Sequence, residues 1–380
     1  MSLVKFNEPF LTGKELTYVE DVFASCHFYG AGKYTALCEA KIKEMTGASS
    51  SLLTDSCTSA LEIVALLLRD FAKKQEVIVP SYTFTSTASA FARAGFDIVF
   101  CEVDPDDLMI DVDDARQRVT DQTVAVVAVH YGGMTAKLER LSEFANDCDL
   151  YLVEDSAQAF GAFYEGRHLG TFGDFGCISF HETKNLHCGL GGALLVNNPS
   201  FLDRARCIWE RGTNRQEVLK GLVDKYSWVE IGGSFYPTEL QAAFLLAQLE
   251  EADANIAERE RLHHQYKERL THLKKKGKLY FPDFPVGYQS NFHAFYIILT
   301  SEADADRVRL SLKDNGVMAY IGYVPLHSSP VGLSMGYEPG SLAITEDIAS
   351  RVLRLPMHNN LTKSDVDLAC SIIGGALNEE

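Results

Sequence analysis

At 380 residues, with 46% hydrophobic and 23% charged side chains, the chain has the composition of an ordinary globular protein and the length for two domains. Its formal charge of −17 argues against a general nucleic-acid binder, and no apolar run approaches the ~20 residues that cross a bilayer. The nine cysteines are odd in number, scattered and free of any C-x-x-C pair, so a disulfide framework, a zinc ribbon or another metal site is not expected. Reduced thiols and an N-terminus without signal-peptide layout point to the cytoplasm.

In chain order, a short amphipathic helix is predicted over 13–25. Gly30-Ala31-Gly32-Lys33-Tyr34 is not a P-loop ending, because His27 stands where that pattern needs glycine and Tyr34 where it needs Ser or Thr. A helix over 35–46 precedes a strand over 51–54. Asp55-Ser56-Cys57-Thr58-Ser59-Ala60 then opens a helix reaching Leu68. Small hydroxyl residues at a helix start suit simple capping, and equally a phosphate, which the free N–H groups and the dipole favour.

A strand over 76–80 leads to Ser81-Tyr82-Thr83-Phe84, where an aromatic at a strand end could stack on a flat ring or simply fill core. Strands over 97–101 and 124–129 follow, each reached through a helix-like segment. Such alternation predicts a mostly parallel sheet with helices on both faces. His130 fits either a pocket wall or a structural turn.

The chain is organised around the next stretch. Leu150 to Asp155 is an apolar run ending in a carboxylate. Cys177 to Phe180 is another, with Lys184 just beyond it. Gly189, Gly191 and Gly192 then lead into a third run, 193–196. Ligands of open α/β sheets bind outside the carboxyl ends of the strands, so Asp155 and Lys184 are expected to share one crevice. Pyridoxal phosphate needs such a pair: a lysine to condense with its aldehyde and an acid to keep its ring nitrogen protonated. Lys184 would carry the cofactor and then move the proton, Asp155 would hold the ring nitrogen, and Gln158 could bond the phenolic oxygen. Taken singly, each also fits a helix-capping aspartate or a surface lysine.

Val153-Glu154-Asp155-Ser156-Ala157-Gln158 and Ser179-Phe180-His181-Glu182-Thr183-Lys184-Asn185 resemble blocks of the DegT/StrS family of nucleotide-sugar aminotransferases, and the resemblance runs over nearly the whole chain. It implies an α/β protein with the aspartate-aminotransferase fold (pyridoxal phosphate fold type I). A large domain over 1–255 with a mainly parallel central sheet would precede a small C-terminal α/β domain over 256–380. It also implies a homodimer with shared active sites.

Carried over residue by residue, the resemblance puts Thr58, Ser59 and Ser179 on the cofactor phosphate, with Ser234 reaching it from the neighbouring subunit. Phe84 would stack on the ring. His181 would handle protons or touch substrate. Tyr29, Arg215, Lys225, Tyr320, Tyr323 and His327 are the candidate substrate contacts, each also readable as surface charge or core. Two departures stand out: Leu190 replaces the acidic residue common in the glycine loop, and Ser234 stands where asparagine is usual.

The implied reaction moves an amino group from L-glutamate to C4 of TDP-4-keto-6-deoxy-D-glucose. The product, a TDP-4-amino-4,6-dideoxyhexose, would serve a surface glycan such as the O-antigen of lipopolysaccharide. C3 amination of the 3-keto isomer, a UDP-linked 4-keto sugar and a non-enzymatic regulator remain as alternatives. Family members that act as dehydratases have histidine in place of the lysine, and Lys184 speaks against that chemistry.

The remaining predicted elements are a helix over 237–270 leading out of the large domain, an exposed turn at 274–276, a strand over 293–299, a helix over 304–315 and a strand over 318–323.

Overall fold

The computed structural model describes residues 3–135 and 137–377. Met1 and Ser2, where the reading of the N-terminus begins, lie outside it. Strands β1 (Ser51–Thr54), β2 (Glu76–Pro80), β3 (Asp97–Cys101), β4 (Thr123–Val129) and β5 (Tyr151–Asp155) are followed by the short hairpin β6 (Phe163–Tyr164) and β7 (Arg167–His168), then β8 (Phe175–Ser179) and β9 (Gly192–Val196). Seven of these form one sheet in the order β1-β9-β8-β5-β4-β2-β3. The neighbours from β3 through β8 pair in parallel, and β9 is antiparallel to both β8 and β1.

The apolar runs are strands because both faces of the sheet are covered. Val77 and Val79 of β2 and Ala125 and Val127 of β4 enter one core, while Ile78, Val126 and Ala128 enter the core on the other side. The helices Cys57–Leu68, Thr85–Arg93 and Leu202–Trp209 pack on the first face. Lys33–Thr46 and Glu239–Glu250 cover Leu53, Ile178, Ala193 and Leu195 on the other. Truncating a fully buried strand residue such as Leu194 to alanine is expected to cost about 2–5 kcal/mol. The sheet therefore fixes the ends of its strands firmly.

A second sheet comprises β10 (Leu279–Tyr280), β12 (Tyr296–Leu299), β13 (Tyr320–Ile321) and β14 (Val352–Arg354), in the order β10-β12-β14-β13 and wholly antiparallel. The helices Ala252–Lys275, Glu302–Asp314 and Lys363–Ala376 surround it with a separate core, which also takes in Val4 from the start of the chain. The two-residue β11 (Tyr288–Gln289) joins β6 and β7 in a third, small sheet.

Three expected elements differ. The helix predicted over 237–270 is two, broken at Glu251, whose φ of −108° leaves the α region. The first is nearly enclosed by the large core, while the second runs along the smaller one. The strand predicted over 293–299 begins only at Tyr296, because His293 and Ala294 turn toward a cavity. That over 318–323 shrinks to Tyr320–Ile321, the two residues of this span that pair with β14.

Candidate active site

The carboxyl ends of β1, β2, β4, β5 and β8 open on a cavity of about 530 Å³. Asp155 is the last residue of β5 and Ser179 the last of β8. Lys184 follows β8 in a tight turn closed by its own N–H donating to the His181 carbonyl at 2.8 Å. All three line the cavity, with Thr58, Phe84, Gln158, His181 and Tyr323. Gly192, which starts β9, sits where a Cβ would lie 2.4 Å from the Cys57 nitrogen. Only glycine lets that strand approach the start of the helix Cys57–Leu68 so closely.

Asp155 is held at both oxygens. The Thr87 hydroxyl donates to Oδ2 at 2.7 Å and the Ala157 N–H to Oδ1 at 3.1 Å. Burial raises its carboxyl above the usual range, against the pull of Thr87, Ala157, Lys184 and His130. A positive partner in the cavity would therefore be strongly favoured. One residue earlier, Glu154 is fully buried beneath the site. It accepts from the N–H groups of Gly170 (2.8 Å) and Gly173 (2.6 Å) and lies 2.8 Å from Nε2 of His130. Burial pushes this carboxyl up, but the His130 ring and the two backbone donors outweigh it and hold it below the ordinary value. His130 thus fills both roles that its sequence position allowed, cavity wall and structural tie.

Burial lowers the proton affinity of Lys184, opposed by Cys57 and Asp155 and helped by Arg354. His181 is also lowered, first by burial and then by Lys184. Its Nδ1 accepts from the Thr183 N–H at 3.2 Å, so the neutral ring carries its proton on Nε2. Gln158 is fixed at both ends of its amide: the Gly132 N–H donates to Oε1 at 2.6 Å, and Nε2 donates to the Tyr323 hydroxyl at 2.9 Å. Phe84 is 57% exposed and therefore wall, not core.

Other expected site residues are placed differently. Ser59 does not line the cavity. Its N–H is taken by the Ser56 cap and its hydroxyl donates to Asp55. Thr58 does line it, with its hydroxyl donating to Ser86 at 2.8 Å, and Ser56 and Ser86 add two further hydroxyls. His327 cannot reach a sugar from this position: it is fully buried, with Nδ1 2.6 Å from the Ser81 hydroxyl and Nε2 2.7 Å from Glu346. Arg215 is turned to Glu210 at 2.8 Å, and neither it nor Lys225 lines this chain's cavity. Tyr29 is bonded to Tyr236 and Arg211, Tyr320 packs edge-on against Phe6, and Ser234 is exposed; all three lie outside the lining. Leu190 replaces the expected acid with an apolar side chain at the cavity wall, half exposed. Sequence reasoning missed Thr87, His293 and Arg354.

The DegT/DnrJ/EryC1/StrS aminotransferase family model matches residues 9–373. The chain belongs to this family. It is 30% identical over 378 residues to the GDP-perosamine synthase of Escherichia coli O157:H7, covering 98% of each chain. It is also 30% identical over 371 residues to a dTDP-4-dehydro-2,3,6-trideoxy-D-glucose 4-aminotransferase of Saccharopolyspora spinosa, covering 96% of this chain and 94% of that one. The crystal structure of the aminotransferase TlmJ from Streptoalloteichus hindustanus superposes with a TM-score of 0.90 at 30% identity, over 99% of both chains. The protein is thus a sugar aminotransferase of the pyridoxal phosphate fold type I, and pyridoxal phosphate is its cofactor. The residues present fit that group: a lysine of lowered proton affinity and a buried carboxylate share one cavity, with hydroxyls at the start of a helix beside them. No helix among the described residues is long and apolar enough to cross a membrane.

Proposed function

We propose that the enzyme transfers the amino group of L-glutamate to C4 of TDP-4-keto-6-deoxy-D-glucose, giving a TDP-4-amino-4,6-dideoxyhexose for a surface glycan. The observation that carries the transamination is the convergence of Lys184 and Asp155 in a single cavity. Position C4 and the TDP carrier are supported by a relative named as a dTDP-sugar 4-aminotransferase.

The bound cofactor supplies an electron sink for the carbon that loses or gains a proton. Lys184 would attach it, and its amine would then carry the proton. Its lowered affinity makes the free amine more available near neutral pH. Asp155, aimed by Thr87 and Ala157, would hold the ring nitrogen in its protonated form. Gln158 would adjust the phenolic oxygen and Phe84 would cover the ring. Thr58 and Ser179 would hold the phosphate from this chain, and Ser234 from the other subunit of a cytoplasmic homodimer. His181 would exchange protons with substrate through Nε2.

The dimer is supported by an exposed apolar stretch that contains Leu219, Leu222, Tyr226, Trp228, Val229 and Ile231. The two cores support a large domain over 1–255 and a small one over 256–380, with Val4 crossing to the second.

The test is to incubate the protein with pyridoxal phosphate, L-glutamate and TDP-4-keto-6-deoxy-D-glucose and to analyse the product by mass spectrometry and NMR. An amine at C4 is expected. An amine at C3 of the 3-keto isomer, or turnover only with a UDP- or GDP-linked sugar, would overturn the substrate assignment.

A further inference from the structure

Phe292 has a left-handed backbone, with φ of 52°. That conformation strains an aromatic residue, and such strain clusters where a site needs the chain held in one place. The next residue is His293, and its surroundings fasten every polar atom of it but one. The His293 N–H donates to Oδ1 of Asn291 at 3.1 Å, and its carbonyl accepts from Nη2 of Arg259 at 2.7 Å. Asn291 is itself anchored by donating to the carbonyls of Gln158 and Phe160. The ring is set by Asn185, the residue after Lys184. Nδ2 of Asn185 donates to the Asn291 carbonyl at 2.7 Å, so its Oδ1 is the atom that faces Nδ1 of His293 at 2.9 Å. Nδ1 therefore carries the ring proton and Nε2 a lone pair. Burial, then the charges of Lys184, Arg259 and Arg354, push the proton affinity of the ring well below the ordinary histidine value, so it stays neutral.

His293 lines the cavity with Lys184, and both also line a narrow cleft of about 10 Å³ with Gln158, Ser179 and Asn185. Such a space holds at most one water. Among the described residues, neither Nε2 of His293 nor the Lys184 amine has a hydrogen-bond partner. One is an acceptor and the other a donor. The remaining acceptors of the cleft are occupied. Oε1 of Gln158 takes the Gly132 N–H, the Ser179 hydroxyl takes the His181 N–H, and Oδ1 of Asn185 takes the ring itself. The charged or titratable groups that act on the amine are Cys57, Asp155 and Arg354, and Asp155 is already held by Thr87 and Ala157. We infer, on the aminotransferase reading with L-glutamate as donor, that His293 is a positioning residue for Lys184: when the amine is free of the cofactor, Nε2 accepts one of its N–H bonds, directly or through one water. The lone pair of the amine is thereby turned toward the carbon whose proton it moves. Lys184 moves a proton in both half-reactions, so His293 serves both alike.

The experiment compares wild type with His293→Leu, which removes the acceptor, and His293→Gln, whose side-chain carbonyl restores one. Circular dichroism and the absorbance of bound cofactor check folding. In His293→Leu the maximal rates of the glutamate and the nucleotide-sugar half-reactions should both fall about 30-fold, a loss typical of a misplaced reacting group, with half-saturating concentrations kept within about twofold. The isotope effect with glutamate deuterated at the α-carbon should rise, because proton movement then limits the rate. The acid limb of the pH profile, set by Lys184, should move down by about one pH unit, since a hydrogen bond to the charged amine is lost. His293→Gln should recover most of the rate and return the limb. In the apoenzyme, nitrogen NMR of the labelled wild-type ring should show the proton on Nδ1 and none on Nε2 from about pH 5 to pH 8. The pH dependence of Lys184 acylation in the apoenzyme should shift in His293→Leu in the same direction as the acid limb.

A proton on Nε2 in the wild-type ring overturns the inference whatever the variants do. A defect confined to the nucleotide-sugar half-reaction places His293 on a substrate hydroxyl, and a loss that glutamine does not recover marks the ring as packing. Either overturns it, as do wild-type rates in His293→Leu. Wild-type enzyme that L-glutamate fails to bleach would instead overturn the donor reading on which the inference rests.

Discussion

The floor of the cavity and the segment from Glu210 to Ser234 are organised in opposite ways. On the floor, Asp155, Glu154 and His130 sit at the ends of parallel strands, and each side chain or its neighbour is held by hydrogen bonds from within the chain. The later segment carries Trp228 at 75% exposure, with Leu222, Tyr226 and Val229 also in solvent. Its cationic residues look to their own neighbours: Arg215 pairs with Glu210, and Arg211 with Tyr29 and Tyr236. One region is complete in a single chain. The other is an apolar surface whose role depends on what covers it. Asp155 and Ser179 are thus anchored at strand ends of the sheet, while the later segment lies on a loop and a short helix.

That contrast can be broken from either side. On the floor, Lys184→Ala should lower turnover by about 10⁴-fold or more, since the group that attaches the cofactor and the group that moves the proton are lost together. Its thermal unfolding should remain cooperative. Asp155→Asn should keep the cofactor but lower turnover by about 10²–10³-fold, the scale of losing a fixed electrostatic partner of the reacting centre. On the surface segment, Trp228→Asp should leave the fold of one chain intact, halve the mass seen by light scattering and lower activity. If the variant keeps the wild-type mass and activity, the segment is not an interface. Thr87→Val removes one of the two donors to Asp155 and should lower turnover roughly tenfold while leaving cofactor absorbance in place.

The smallest effect lies outside both regions. His263 is packed against Phe284, Phe292 and Phe295, and burial lowers its pKa to about 3. The folded chain keeps it neutral, while the unfolded chain takes up a proton below the ordinary value near 6.5. Wild-type stability should therefore fall relative to His263→Phe by about 1.4 kcal/mol for each pH unit below 6.5. Urea unfolding of both proteins at pH 7 and pH 5.5 measures the difference, and activity at neutral pH should not change.

Much of the floor was legible in the sequence because a short apolar run ending in a charged residue fixes its own geometry: the strand is buried, so its last side chain opens at the sheet edge. Asp155 and Lys184 follow from that. Thr87 did not, since the run Ser81 to Thr87 holds several hydroxyls and only the turn of the helix Thr85–Arg93 selects one. His293, just ahead of β12, and Arg354, at the end of β14, reach the cavity from the side of the second sheet, and no local pattern records that approach. His327 shows the converse. The family resemblance suggested a ligand contact there, yet tertiary packing buries the ring between Ser81 and Glu346. The break at Glu251 was equally hidden, because no glycine or proline marks it and the change of packing partner occurs in space.

The cofactor attachment site can be read in one experiment. The purified holoenzyme is reduced with borohydride, which fixes the cofactor to the amine that holds it, then digested and mapped by mass spectrometry. The account predicts absorbance near ~420 nm before reduction, as expected for a lysine-bound pyridoxal. It also predicts one pyridoxyl-phosphate adduct, on the peptide carrying Lys184 and absent from Lys184→Ala. An adduct on a different lysine, or none in protein that has bound the cofactor, would contradict it.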